Sequence, residues 1–155
     1  LLYSLPGMPC LYYGDELGMG DWPGLRDRDP NRTPMAWTPA RNGGFSTAPD
    51  PLLVLPPITA PGYDYRVVNV EVQKQLPGSL LNWHRRMLTC RRLLPALRHG
   101  SFRLLHSPHP GVLVYLRCTE AMTVLVAANV TAAGASLSLD LSEWAGNRTR
   151  EDVGL

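Results

Sequence analysis

Residues 5–20 read LPGMPCLYYGDELGMG and contain a short apolar run, residues 9–13, with glycine close on both sides. Two carboxylates, Asp15 and Glu16, follow this run after Gly14. Short apolar runs bounded by turn residues are typical of buried parallel strands, and the carboxyl ends of such strands deliver polar groups to a working surface. We therefore expect a buried strand over residues 9–13 that ends at a site for a polar ligand.

The composition indicates a globular protein without a preference for nucleic acid or membranes. The net charge is +2 and 45% of the residues are hydrophobic, but no continuous apolar stretch reaches the roughly 20 residues of a membrane span. Cys10, Cys90 and Cys118 show no CxxC spacing, and we interpret them as buried, reduced thiols of a cytoplasmic protein. The first residues lack a starting Met and resemble the end of a helix whose beginning is missing. We therefore expect the sequence to be a segment of a longer protein, open at both ends.

Residues 21–78 form a long segment that shows neither helical nor alternating periodicity. It is rich in Pro, Gly, Asp and Arg, yet it carries large apolar side chains such as Trp22, Trp37 and Phe45, which a solvated linker would lack. Loops of this length within compact proteins are usually functional. We predict a packed lid over a site.

Residues 79–94 carry a helix pattern, with Ser79 as N-cap and Pro95 as the terminating residue. The predicted core stripe consists of Leu80, Trp83, Met87, Leu88, Arg91 and Leu94.

Beyond residue 100 the pattern changes to short strands, which we predict at residues 101–106, 112–118, 123–129 and 135–141. Four short strands at this spacing indicate an antiparallel sheet or part of a sandwich. Taken together, the residues predict an α/β chain. Residues 1–100 would form the last strand, lid loop and helix of a (β/α)₈ TIM barrel, and residues 101–155 would begin a C-terminal antiparallel β-sandwich domain.

Asp15 and Glu16 are the first candidates for chemistry. Glycoside hydrolysis uses two carboxylates about 5 Å apart, but neighbours on a strand point to opposite faces, so these two do not form such a pair. Three roles remain open for these residues: direct catalysis by either one, binding of a polar ligand by the one that faces the site, and a structural role. In the charged cluster at residues 27–32, Arg32 either belongs to a solvated, self-paired loop or donates to sugar hydroxyls or an acidic side chain.

The stretch PGMPCLYYGDELGM resembles the eighth-strand motif of the alpha-amylase superfamily, Gly-x-Pro-x-x-Tyr-Tyr-Gly-x-Glu. RTPMAW, RNGGFS, LPPI, YRVVNVEVQ and SLLNWHRRML follow in the order found in one branch, the trehalose synthases, which interconvert maltose and trehalose. Related alpha-glucosidases share RTPM and NVE, whereas LPPI and RNGGFS favour the mutase branch. The sequence departs from the family at Ala36, where Gln is usual, and we expect a looser loop or acceptor pocket there.

The resemblance implies a retaining glucosyl mutase, an isomerase of the intramolecular transferase class. In the family an Asp nucleophile, a Glu acid/base and a second Asp lie on earlier strands, which implies no catalytic residue in this chain and no activity of the chain alone. Carried over by motif, Glu16 and Arg32, with Asp15 nearby, would bind substrate on the acceptor side of the pocket. Residues 21–65 would help to enclose the released glucose and exclude water.

The implied ligands are maltose, trehalose and glucose, with no cofactor or metal in this segment; calcium, where the family holds it, lies elsewhere in the full-length protein. A homo-oligomer, or a maltokinase that is fused or associated, is left open. The alternatives are an alpha-glucosidase that hydrolyses maltose and a non-catalytic, carbohydrate-binding relative.

Overall fold

A computed structural model describes residues 1–145, so the last ten residues of the predicted second domain, 146–155, lie outside the described residues. The chain falls into two compact units: one is Cys10–Arg86, and the other combines Leu1–Pro9 with the residues from Met87 onward. Over the described residues, no helix is both long and apolar enough to cross a membrane. The helices and strands are α1 (Val70–Gln75), α2 (Leu80–Leu93), α3 (Pro95–His99), β1 (Ser101–Leu104), β2 (Val112–Cys118), β3 (Thr123–Asn129) and α4 (Ser142–Ala145).

The apolar run at residues 9–13 does not form the predicted strand. Within Cys10–Arg86 the structure contains short helices and turns but no strand. A parallel strand forms only where neighbouring strands supply its hydrogen bonds, and the described residues supply none here. As a result Cys10, Tyr12 and Tyr13 are exposed, and the prediction of a buried thiol is wrong for Cys10. Cys90 and Cys118 are half-buried, and all three thiols are free.

The antiparallel sheet has the order β1-β2-β3, with Ser101 opposite Cys118 and Val112 opposite Asn129. The predictions of β2 and β3 are confirmed to the residue, while β1 ends two residues earlier than predicted. The central strand β2 is buried over most of its length.

The fourth predicted strand, residues 135–141, is not formed. Leu137, Leu139 and Leu141 are half-buried and the residues between them are exposed, so the predicted alternation is present. No edge of the sheet in the described part of the chain pairs with this segment. Alternation fixes which side chains turn inward, but a strand also requires a partner for its backbone.

The predicted helix at residues 79–94 is confirmed as α2, and Ser79 caps it. The Ser79 hydroxyl accepts a hydrogen bond from the backbone N–H of Asn82 at 3.2 Å. The buried side chains on α2 are Leu81, Met87 and Arg91, whereas the predicted core residues Leu80, Trp83 and Leu88 are exposed. The predicted core positions are thus confirmed for Met87 and Arg91, while Leu81 is buried outside the predicted stripe. Pro95 does more than end α2, because it opens α3.

Helix α1 was not predicted, because six residues are too few to show a period. Its N-cap Asn69 is fully buried: the side-chain oxygen accepts from Val72 N at 2.9 Å, and the side-chain nitrogen donates to Tyr65 O at 2.9 Å. The N–H groups of the first two helical residues, Val70 and Glu71, donate to the carbonyls of Ala36 and Trp37. The start of α1 is thus fixed by the preceding loop.

Two buried arginines bind backbone carbonyls in the unit that contains the sheet. Arg91, 9% exposed, donates from Nη1 to the carbonyls of Tyr3 at 2.7 Å and Leu97 at 2.6 Å, and from Nη2 to Gly7 O at 2.7 Å. These bonds connect α2 to the first residues of the chain and to the end of α3.

Arg117, only 1% exposed, donates to the carbonyls of Ser4, Leu97 and Gly100 at 2.7, 3.2 and 2.9 Å. Burial, and secondly the positive charge of Arg91, lower the pKa of Arg117. Over residues 1–145 no carboxylate forms an ion pair with either arginine, so carbonyl dipoles solvate both charges. Because Leu97 O accepts from both guanidinium groups, the two arginines form one network.

We predict that Arg91→Leu in the full-length protein lowers the free energy of unfolding by about 3 kcal/mol, because buried carbonyls lose charged donors. The control is Arg92→Leu, which removes the same charge from an exposed neighbouring position and should change stability by less than about 0.5 kcal/mol. Urea unfolding of both variants measures the difference. Equal effects of the two substitutions would contradict the role assigned to Arg91.

Candidate functional site

The acidic turn, which we define as residues 14–19, is a single 3₁₀ turn, Asp15–Leu17, between two left-handed glycines. Gly14 has φ 94° and Gly18 has φ 68°, a region that costs other residues roughly 1–2 kcal/mol. The N–H groups of Leu17 and Met19 both donate to Gly14 O at 3.0 Å. The chain therefore reverses tightly just after the apolar run.

Asp15 and Glu16 lie in this turn and not on a strand, so the expectation that they point to opposite faces of a sheet is wrong. Asp15 Oδ2 accepts from Tyr12 N at 3.0 Å, and Glu16 Oε2 accepts from Gly14 N at 2.9 Å. Each carboxylate thus binds a backbone N–H close by in sequence. Asp15 is exposed and Glu16 is half-buried.

The acidic turn is anchored through Leu17, which is 2% exposed and belongs to a hydrophobic cluster with Met35, Val70 and Leu81. Its backbone carbonyl accepts a hydrogen bond of 2.7 Å from the side-chain nitrogen of Gln73 on α1. The residue next to Glu16 is therefore held by both apolar packing and a side-chain amide.

Arg32 is exposed and lies near Tyr13. The Tyr13 hydroxyl donates to Thr33 O at 3.0 Å, which connects the residue before the acidic turn to the residue after Arg32. Partial desolvation, and then the hydrogen bond with Tyr12, raise the pKa of Tyr13 although its side chain is still partly exposed, while the positive charge of Arg32 opposes this rise. The structure thus brings Arg32 to Tyr13; in the described part of the chain no ion pair joins Arg32 to Glu16.

The RNGGFS stretch, residues 41–46, folds into a left-handed turn. Asn42 is buried at φ 54°, and its side-chain nitrogen donates to Ser46 O at 3.0 Å and Ala48 O at 2.9 Å. Gly43 O accepts from the N–H groups of both Trp37 and Thr38. These bonds hold the short 3₁₀ segment Arg41–Gly44 in a defined conformation without an α-helix or a strand.

Ala36, the residue that departs from the family motif, is buried and its carbonyl accepts from Val70 N at 3.1 Å. The backbone at this position is held although the side chain is small. A looser acceptor pocket at Ala36 stays a prediction.

The predicted lid is partly packed and partly exposed. Thr33, Met35, Ile58 and Tyr65 are buried. Large apolar side chains are nevertheless exposed at Trp37, Phe45, Leu52, Val54 and Tyr63.

An open groove of about 480 Å³ borders Trp37 and α1, lined by Trp37, Thr38, Val70, Glu71, Lys74 and Gln75. Asp15, Glu16 and Arg32 are not among its lining residues. Over residues 1–145 no cluster of three or more His, Cys, Asp or Glu side chains could hold a metal ion.

Sequence reasoning missed Tyr13, Asn42, Asn69 and Gln73, which hold the segments around the predicted site residues. An Asn directly before an apolar helix start was an available signal for Asn69. The bonds made by Tyr13 and Gln73 join residues 20 and 56 positions apart, which no local pattern contains.

The family model of the alpha-amylase catalytic domain matches residues 1–100, and the model of the maltogenic amylase C-terminal domain matches residues 102–154. The first match covers more than half of the sequence. The chain belongs to the alpha-amylase family.

Relatives that bear the name trehalose synthase are 44% to 50% identical to this chain. Among them, trehalose synthase/amylase TreS of Mycobacterium tuberculosis is 50% identical over 147 residues, which cover 93% of this chain and 24% of the relative. The amino acid transporter heavy chain SLC3A1 of Rattus norvegicus is 40% identical over 126 residues, which cover 76% of this chain and 17% of that relative. The chain thus spans less than a third of the length of these curated relatives.

A crystal structure of an isomaltulose synthase mutant from Erwinia rhapontici NX5, in complex with D-glucose, has a similar fold with a TM-score of 0.67 and 25% identity. The similarity covers 83% of this chain and 28% of that one. The chain therefore shares its architecture with part of a sugar-converting enzyme of known structure.

We predict that Tyr13→Phe in the full-length protein lowers the free energy of unfolding by about 1 kcal/mol at neutral pH, because Thr33 O loses its donor. The folded pKa of Tyr13 is raised above its ordinary 10.0, so above that pH the unfolded state releases a proton that the folded state retains. The advantage of the parent over the variant is therefore complete below pH 10.0 and shrinks as pH rises through the raised pKa.

Urea unfolding at a series of pH values measures this difference, with Tyr63→Phe as a control that removes an exposed hydroxyl from the same unit. An advantage that stays constant across the alkaline range would contradict the prediction.

Proposed function

We propose that this chain is part of a retaining glucosyl mutase that interconverts maltose and trehalose by intramolecular transglucosylation, with minor hydrolysis. The observation that carries the proposal is the 50% identity to a trehalose synthase over 93% of the chain. That identity extends over the acidic turn, the lid, α1, α2 and the sheet, so the similarity is not confined to one motif.

The proposed reaction begins when an Asp outside this chain attacks the anomeric carbon of the non-reducing glucosyl unit of maltose. The glycosidic bond breaks, and the leaving oxygen of glucose takes a proton from a general acid, which then serves as the general base of the second step. The retained glucose then attacks the same carbon through its own anomeric hydroxyl, the bond to the enzyme carboxylate breaks, and the hydroxyl proton passes to the general base. Water in place of glucose gives hydrolysis. Enclosure of the released glucose therefore decides the product.

We propose that Glu16 and Arg32, with Asp15 nearby, contact sugar hydroxyls on the acceptor side. Their residue types suit this role, because carboxylates accept from hydroxyl groups and guanidinium groups donate to them. Support comes from the acidic turn, which holds the Glu16 carboxylate at one place through Gly14 N. Residues 21–65 would enclose the sugar.

We further propose that residues 9–13 form the last strand of a (β/α)₈ barrel in the full-length protein, and that residues 101–155 begin a C-terminal β-sandwich. Support comes from the exposure of Cys10, Tyr12 and Tyr13 within this run, because exposed apolar side chains suit burial against neighbouring strands. The antiparallel pairing of β1, β2 and β3 suits the start of a sandwich.

A second candidate is a non-catalytic role, favoured by the 40% identity to an amino acid transporter heavy chain. The two candidates differ in the sequence upstream of this chain. A mutase requires an Asp, a Glu and a second Asp at the ends of earlier strands, and a non-catalytic relative lacks them.

We predict that the purified full-length protein, incubated with maltose, forms trehalose as the main product and glucose as a minor one. Chromatography that separates trehalose, maltose and glucose measures the outcome. Glucose without trehalose would overturn the mutase in favour of an alpha-glucosidase, and no turnover at all would favour the non-catalytic role.

We predict that Glu16→Gln raises the KM for maltose by about ten-fold and increases the share of glucose, because a charged hydrogen bond to the acceptor sugar is lost. The substitution is mild for the fold, since an amide oxygen can still accept from Gly14 N. Steady-state kinetics with Glu120→Gln, an exposed carboxylate in the β2–β3 connection, provide the matched control. A Glu16 variant that behaves like the Glu120 variant would remove Glu16 from the acceptor site.

A further inference from the structure

Gln73 occupies a half-buried position on α1 from which its side chain reaches two other segments. The amide nitrogen Nε2 donates to Leu17 O at 2.7 Å, and the amide oxygen Oε1 accepts from Leu81 N at 3.0 Å. Leu17 closes the 3₁₀ turn that carries Asp15 and Glu16, and Leu81 lies in the first turn of α2. One side chain therefore joins the acidic turn, α1 and α2.

A primary amide performs both tasks at once, because it carries a donor nitrogen and an acceptor oxygen on one planar group. Leu17 O requires a donor and Leu81 N requires an acceptor, so the two partners fix which end of the amide faces which way. The backbone of Gln73 is held as well, because its carbonyl accepts from the Ser79 hydroxyl at 2.7 Å and from Asn82 Nδ2 at 3.0 Å. The side-chain amide therefore extends from a backbone that is itself held in place.

The acidic turn depends on this contact more than a longer element would. It is one turn long and ends at a left-handed glycine, Gly18. Leu17 N bonds within the turn, to Gly14 O, while Leu17 O bonds outside it, to Gln73. Because Leu17 directly follows Glu16, a shift of its peptide changes the direction of the Glu16 side chain.

We propose that Gln73 is a positioning residue that fixes the acidic turn and thereby sets the partition of the glucosyl-enzyme between retained glucose and water. The inference rests on the proposed mutase function and extends it to a residue without sugar contact. In both branches the bond from the anomeric carbon to the enzyme carboxylate breaks and a bond to a hydroxyl or water oxygen forms. The proton of that oxygen passes to the general base.

The test compares Gln73→Glu with Gln75→Glu in the full-length enzyme. The Gln73 variant can still accept from Leu81 N, but its carboxylate repels Leu17 O and cannot donate to it. Gln75 is exposed on the same helix, so its variant carries the same charge change without that contact. The readouts are the amount of glucose formed per trehalose, the KM for maltose, and the thermal unfolding midpoint.

We expect Gln73→Glu to form about three- to ten-fold more glucose per trehalose and to raise the KM for maltose. A change of this size in the product ratio corresponds to the loss of one hydrogen bond. Gln75→Glu should match the parent. Equal product ratios and KM values for the two variants, at equal amounts of folded enzyme, would overturn the proposal.

Gln73→Met, which removes both hydrogen bonds without adding charge, is assayed by the same criteria if Gln73→Glu does not fold. If neither variant folds while Gln75→Glu does, Gln73 serves folding as a whole and the positioning role is wrong. The parent enzyme tests the mutase separately: a parent that forms only glucose overturns the mutase. In that case the KM for maltose hydrolysis tests Gln73. If Gln73 positions the acidic turn, this KM rises in Gln73→Glu and not in Gln75→Glu. If it does not, the KM is the same in both variants.

Discussion

Side chains that bind buried backbone groups hold together the parts of this structure that have no regular hydrogen-bond ladder. Each buried peptide group without a partner costs about 1–3 kcal/mol, so a long irregular chain must find partners outside helices and strands. Asn42, Asn69 and Gln73 supply them in one unit, and Arg91 and Arg117 supply them in the other. These polar side chains therefore serve first to satisfy buried backbone groups of the lid and helices.

The two units meet this constraint with different chemistry. Amides serve where a donor and an acceptor are needed together, as Gln73 serves Leu17 O and Leu81 N. Guanidinium groups serve where carbonyls converge, because a guanidinium offers five donors in a fixed plane and no acceptor. Arg91 and Arg117 share Leu97 O at the end of α3, where the carbonyls of a helix terminus carry partial negative charge. A carbonyl cluster of this kind stabilises two buried cations without a carboxylate.

Local sequence signals predicted the elements that depend on local interactions. Ser79 and the periodic residues after it located α2, and the turns around β2 and β3 located both strands, because caps and hairpin connections act over a few residues. The strand predicted at residues 9–13 is not formed, and the reason is the opposite one. Its hydrogen bonds must come from neighbouring strands, and the sequence of the run itself carries no information about those partners. Gln73 was missed on the same ground, since its partner Leu17 is 56 positions away. The family resemblance supplied the candidate sugar-binding residues. The structure shows the backbone N–H groups to which Asp15 and Glu16 bond.

The local hydrogen bonds of Asp15 and Glu16 bear on the sugar-binding role proposed for these residues. A carboxylate that caps a backbone N–H is restricted in its rotamers before any sugar arrives, so less conformational entropy is lost on binding. Its two oxygens offer about four acceptor sites, and the bond from Gly14 N uses one of those on Glu16. Glu16 can therefore accept from a sugar hydroxyl without leaving its place in the turn. A residue fixed in this way suits the retention of a sugar, because a mutase must hold the released glucose in a defined pose while water is excluded.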